Sequence, residues 1–125
     1  MFAGAAIALP GGAKYVGKTS DGSTVSVRLS GDAKRVKRIR IHYTVTCNDG
    51  KPREPTYTDI LEVRVKSDGS FKASGSYQGS LNNDTNKFKV AGKLKTRKAQ
   101  GTFSLTSTTS TASCKTGKLT WSAKR

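Results

Sequence analysis

The chain has one histidine, two cysteines, one methionine, three prolines and only eight acidic residues among its 125. Each scarcity removes a class of chemistry. His42, Cys47 and Cys114, with no Cys-x-x-Cys, fall short of the clustered ligands that a structural zinc site uses. His42 stands between Ile41 and Tyr43 with no acid nearby in sequence, so it lacks the oriented partner of a general base. No Gly-x-Ser-x-Gly or Ser-x-x-Lys marks an activated serine. A carboxylate pair for glycoside cleavage has few candidates, since Asp49, Asp59, Asp68 and Asp84 fall at turns or strand edges. The polar loop 82–86 offers oxygen ligands without EF-hand spacing. No catalytic residue, metal ligand or cofactor is therefore expected, and the chain is not expected to be an enzyme. Long apolar runs are missing as well. Residues 2–9 are apolar but too few to cross a bilayer, and no other segment is a candidate.

What is present is alternation. After Lys14 nearly every segment switches between apolar and polar residues, with breaks at Gly, Asn and Asp, which is the pattern of strands with one face in a core. Strands are expected at 14–19, 23–30, 35–47, 56–66, 71–77, 87–96, 99–107 and 118–124. Val25, Val27 and Leu29 share one inward parity, as do Ile39, Ile41, Tyr43, Val45 and Cys47. Val36 breaks that parity, which predicts a β-bulge near Lys37. Leu61, Val63 and Val65 are expected inward, then Phe71, Ala73, Gly75 and Tyr77, then Phe88, Val90, Gly92 and Leu94. Phe103, Leu105 and Trp121 complete the core. Glycines at inward positions 75, 92 and 101 leave room for strong coiling or close strand approach. Hydrophobic content is only 34%, which suits two-faced strands. The expectation is an all-β fold of about eight antiparallel strands in an up-and-down barrel or a two-sheet sandwich, as one domain spanning 14–125.

The polar faces are strongly basic. Fifteen lysines and eight arginines stand against the eight acids, for a net charge of +15. The densest run, KRVKRIR at 34–40, holds five basic residues in seven and presents Arg38 and Arg40 outward. A second stripe comes from Lys87, Lys89, Lys93, Lys95 and Arg97. Such a surface attracts polyanions, through hydrated lysine charges more than through bidentate arginine forks. The two stripes are not neighbours in a simple meander, so a charge spread over a solvated exterior is the alternative. The large aromatics fall in the apolar phase, leaving no stacking platform, so nucleic acid is expected to bind only non-specifically.

Residues 1–13 differ in composition from the rest. They read as a signal-peptide remnant, with Gly11-Gly12-Ala13 as a small-residue cleavage site, or as a flexible tail. In an exported protein Cys47 and Cys114 pair as a disulfide; in a cytosolic one both are buried thiols.

The segments YVGKTSDGSTVSVRLS, KRVKRIRI, TCNDG, SDGSF, FKVAGKL, AQGTFSL and CKTGKLTWSAKR resemble a family of uncharacterised small secreted β domains, common in high-GC Gram-positive bacteria. The resemblance covers nearly all of residues 14–125. It implies export, a single β domain and a Cys47–Cys114 bridge, and it carries no activity. The functional expectation is thus a secreted or cell-envelope binding domain, non-enzymatic, engaging an anionic polymer or acidic protein through Arg38, Arg40, Lys87, Lys89, Lys93 and Lys95. The alternatives are a small-ligand carrier with a barrel cavity, or a secreted protease inhibitor presenting the loop 51–55.

Overall fold

A computed structural model of the chain describes residues 8–78 and 84–125. Most of the apolar leader and part of the expected loop 82–86 therefore lie outside the described residues. Among the described residues there are ten strands and no helix. They are β1 (Lys14–Thr19), β2 (Thr24–Leu29), β3 (Arg35–Tyr43), β4 (Thr46–Cys47), β5 (Thr56–Arg64), β6 (Ser70–Gln78), β7 (Thr85–Leu94), β8 (Lys98–Thr108), β9 (Ser113–Lys115) and β10 (Leu119–Lys124). All pair antiparallel in one curled sheet, so the two-sheet alternative is not the one adopted. The eight longer strands run up and down in sequence order, and β10 returns to pair with β1. Among the described residues β5 and β6 are the one pair of consecutive longer strands without a shared ladder. A side-chain relay spans that seam: the Tyr43 hydroxyl lies 2.6 Å from Thr58 Oγ1, which lies 3.0 Å from the Tyr77 hydroxyl. Burial pushes the Tyr43 phenol well above its ordinary pKa.

Four turns share one chemistry. Asp21, Asp32, Asp49 and Asp68 each accept, on Oδ1, the backbone N–H two residues further on, at 2.9–3.0 Å. An aspartate folded onto its own backbone in this way sets the reversal between strands. Half of the chain's eight acids are occupied so.

The inward parity fills one core. Tyr15, Val25, Val27, Val36, Ile39, Ile41 and Leu94 are fully buried, and Phe103, Leu29, Leu105 and Trp121 nearly so. Each such aliphatic or aromatic side chain contributes about 1.5–3 kcal/mol by leaving water. The polarity of β3 slips at Lys37: Leu29 faces Val36 while Arg28 faces Arg38, leaving Lys37 as the extra residue of a bulge. The neighbouring β5 slips at the same level, where Glu62 takes a left-handed φ of 57°. Val36 opposite Val63 and Ile39 opposite Ile60 therefore both face the core. The expectation for Leu61 fails for this reason: Ile60 takes the inward place and Leu61 is 62% exposed. At the far end of β6, Gly75 and Tyr77 are also more exposed than their parity implies, and Phe88 is half-buried. Tyr15 is core and Tyr57 is half-exposed.

Gly92 and Gly101 face each other across β7 and β8, beneath the Trp121 ring. A Cβ on Gly101 would fall on the Ala91 carbonyl oxygen and lie 2.7 Å from both Gly92 Cα and Trp121 Cζ2. Backbone cannot yield cheaply there. Gly101→Ala is expected to destabilise the fold by about 2 kcal/mol through overpacking, as read by urea unfolding; an unchanged midpoint would show that the two backbones are not held that close.

β4 and β9 form a small clip on the outer half of β8. Cys47 pairs with Cys114 in register and the two are joined by a disulfide. Residues 8–13 lie along the body of the fold: Gly12 N–H donates to Ser30 O, Leu29 N–H donates to Ala13 O, and Leu9 and Ala13 pack against the core.

Candidate functional site

The outer face of β6, β7 and β8 is built from lysine and hydroxyl side chains. Outward positions on β7 carry Lys87, Lys89, Ala91 and Lys93, all but Ala91 exposed. Register places Ser76, Ser74, Lys72 and Ser70 of β6 beside them in that order. On the other flank stand Thr106, Ser104, Thr102 and Gln100 of β8. The face continues through Thr120 and Ser122 of β10 to Lys18 of β1. Small side chains at Ser74, Ala91, Thr102 and Ser104 leave a groove of about 670 Å³, bordered by Lys72, Lys89 and Lys118. It adjoins a second groove of about 760 Å³ over Lys93, Gln100, Thr120, Ser122 and Lys18. Among the described residues no acidic and no solvent-facing aromatic side chain lines the first groove. Trp121 in the floor of the second belongs to the core.

The reason this face stays cationic lies in where the acids went. From Thr85 to Arg125 the chain has ten basic residues and no acid. Among the described residues the three salt bridges are Arg35–Glu62, Arg40–Asp59 and Arg53–Asp49, all outside that stretch. Asp68, in the β5–β6 turn, is an acid within electrostatic reach of Lys93. Its carboxyl is held below the ordinary range by hydrogen bonds from the Ser70 hydroxyl and N–H, with smaller help from Lys93 and Lys66.

The expected contact residues separate into two groups. Lys87, Lys89 and Lys93 lie in the lysine face. Lys95 lies just beyond it, in the β7–β8 turn, where its carbonyl accepts the Tyr15 hydroxyl at 2.6 Å. Arg38 and Arg40 are on β3, whose partners are β2 and β5, so the fold does not bring them beside β7. Arg40 is already engaged. Its Nε and Nη2 donate to Asp59 at 2.8 Å each, and its guanidinium lies 4.6 Å over the Tyr57 ring. That pairing holds the Asp59 carboxyl below its ordinary pKa. Lys72, Lys118 and Lys18 were not singled out by sequence; the acid-free run from residue 85 is a signal that could have drawn attention to Lys118, whereas Lys18 and Lys72 join the face through strand register alone.

His42 meets no carboxylate through a hydrogen bond. Its Nδ1 donates to the Thr24 carbonyl at 3.3 Å and its ring faces Tyr57. Among the described residues no group of three or more His, Cys, Asp or Glu side chains is gathered as metal ligands. No described helix is long and apolar enough to cross a membrane. The open end of the barrel holds a polar mouth of about 480 Å³ between Arg53, Glu54, Tyr57, Tyr77, Asp84 and Asn86. The loop 51–55 is pinned there by the Arg53–Asp49 ion pair and by Arg53 N–H donating to Val45 O. Comparison of the chain with protein-family models, with curated proteins and with solved structures found no match.

Proposed function

We propose that the protein is a non-enzymatic binding domain, working outside the reducing cytoplasm, that holds an anionic polymer on the outer face of β6, β7 and β8. The observation that carries this is the groove bordered by lysines that make no salt bridge among the described residues and floored by hydroxyls, with no acid in it. Unneutralised lysines on a rigid sheet raise the local concentration of a polyanion and release its counterions on contact. The disulfide supports an oxidising location, and membership of a family of small secreted β domains belongs to the same proposal.

The test is binding at two salt concentrations, with inorganic polyphosphate, an acidic polysaccharide and single-stranded DNA as probes. With four lysines engaged, the apparent affinity for the best probe should weaken about fiftyfold between about 50 and about 200 mM salt. Failure of all three probes to bind at the lower salt would defeat the proposal.

A further inference from the structure

Along β6 and β7 the lysines are spaced as a ladder. Lys87 stands beside Ser76, Lys89 beside Ser74, Lys72 beside Ala91 and Lys93 beside Ser70. Four successive levels of the outer face thus carry one lysine and one small residue each, and the fifth, Thr85 beside Gln78, carries no lysine. The gap between Lys89 and Lys93 on β7, at Ala91, is filled from the adjacent strand by Lys72. Successive levels on an antiparallel strand are about 7 Å apart, so four ammonium groups span about 20 Å in a line. Serine and threonine hydroxyls or the Gln100 amide flank each level. No outward position of the ladder carries an aromatic side chain to receive a base, which single-strand nucleic-acid binders normally supply; the exposed Tyr77 and half-buried Phe88 stand at the opposite parity.

We propose that this ladder selects a linear, hydroxylated polyanion carrying one anionic group per repeat of about 7 Å, extended along β7 with its hydroxyls on the flanking serines and threonines. The inference rests on the polyanion-binding function proposed above and adds the charge spacing and the non-aromatic character of the ligand. A chain with denser charge would bring groups that meet no lysine. A chain bearing bases would gain nothing from them.

Oligomers of glycerol phosphate with two, four and eight phosphates test it against the whole protein at low salt, beside oligothymidylates and inorganic polyphosphates of equal phosphate number. The glycerol phosphate series should gain about threefold to fivefold in affinity per added phosphate up to four, then level off. Oligothymidylate with four phosphates should bind no tighter than its glycerol counterpart, and four-phosphate polyphosphate more weakly. Lys72→Gln should cost the four-phosphate oligomer about fivefold. Adding Ala91→Lys to that variant should restore binding, because the two positions are cross-strand neighbours. A gain that continues undiminished to eight phosphates, tighter binding of the oligothymidylate, equal or tighter binding of the short polyphosphate, or no rescue by Ala91→Lys would each overturn the ladder while leaving polyanion binding standing. No binding by any probe would remove the function itself.

Discussion

Replacing Lys72, Lys87, Lys89 and Lys93 together by glutamine is expected to weaken binding of a phosphodiester polymer about a hundredfold at low salt. Four exposed ion contacts at somewhat under 1 kcal/mol each give that order. The salt dependence should flatten in parallel, its logarithmic slope falling by about 3 as four counterion-releasing contacts disappear. Because all four side chains are exposed and make no salt bridge among the described residues, the variant should unfold within about 0.5 kcal/mol of the parent. The decisive comparison is a second variant with equal charge loss elsewhere: Lys14, Arg28, Lys37 and Arg38, which lie exposed on the outer face of β1, β2 and β3. It should lose less than about fivefold, through the general field alone. Titration of both variants with the same polymer, at the same two salt concentrations, gives the answer. Equal losses would mean that the exterior is a uniform basic coat and that no face is privileged.

The fold was largely legible because period two is a direct consequence of the pleat, and most strands obey it. Val25, Val27 and Leu29 are buried as their parity requires, and the break at Val36 did mark a bulge at Lys37. Leu61 could not be read. Its misplacement depends on Glu62 adopting a left-handed backbone to stay level with β3, and an ordinary glutamate gives no warning of that. The single sheet closed by β10 and β1 was foreseeable from a run of hairpins, whereas the unladdered seam at β5 and β6 was not. The lysines of β7 were visible one by one. Their alignment with Lys72 was not, because the β6–β7 connection is too long for its length to fix a register, and register alone decides that Lys72 fills the level of Ala91.

Charge placement follows from the turns more than from the strands. The β1–β2, β2–β3, β3–β5 and β5–β6 connections use aspartates to fold the backbone back. Asp59 and Glu62 on β5 pair with Arg40 and Arg35. The β7–β8 turn instead runs Lys95-Thr96-Arg97, and the β8–β9 turn is closed by Thr109, whose Oγ1 accepts the Ala112 N–H at 2.9 Å. Up to Asp84 the chain therefore sets thirteen basic residues against all eight acids, and from Thr85 onward ten basic residues against none. Ten of the fifteen net positive charges thus fall on residues 85–125.

Reduction of the Cys47–Cys114 bond is expected to lower stability by about 4 kcal/mol without altering the lysine ladder. The bond joins residues 67 apart in sequence, and in the unfolded chain a closed loop of that size removes about that much conformational free energy. Domains of this size are stable by about 5–15 kcal/mol, so the loss is a large fraction of the whole. The folded side of the balance should change little. β4 and β9 are two and three residues long and sit apart from the main core, while β8 keeps its pairing with β7 and β10. Urea unfolding with and without dithiothreitol, repeated on Cys47→Ala/Cys114→Ala, should therefore show a lower midpoint, and thermal melting should fall by roughly 15 °C. At a temperature where the reduced form is still folded, its affinity for a phosphate polymer should equal that of the oxidised form, since β8 stands between β7 and the clip and keeps its own pairing with β7. Reduced and oxidised proteins of equal stability would deprive the bridge of its role and remove the physical reason for placing the protein in an oxidising compartment. A reduced protein that stays folded but loses affinity would tie the clip to the binding face through β8, the one strand they share.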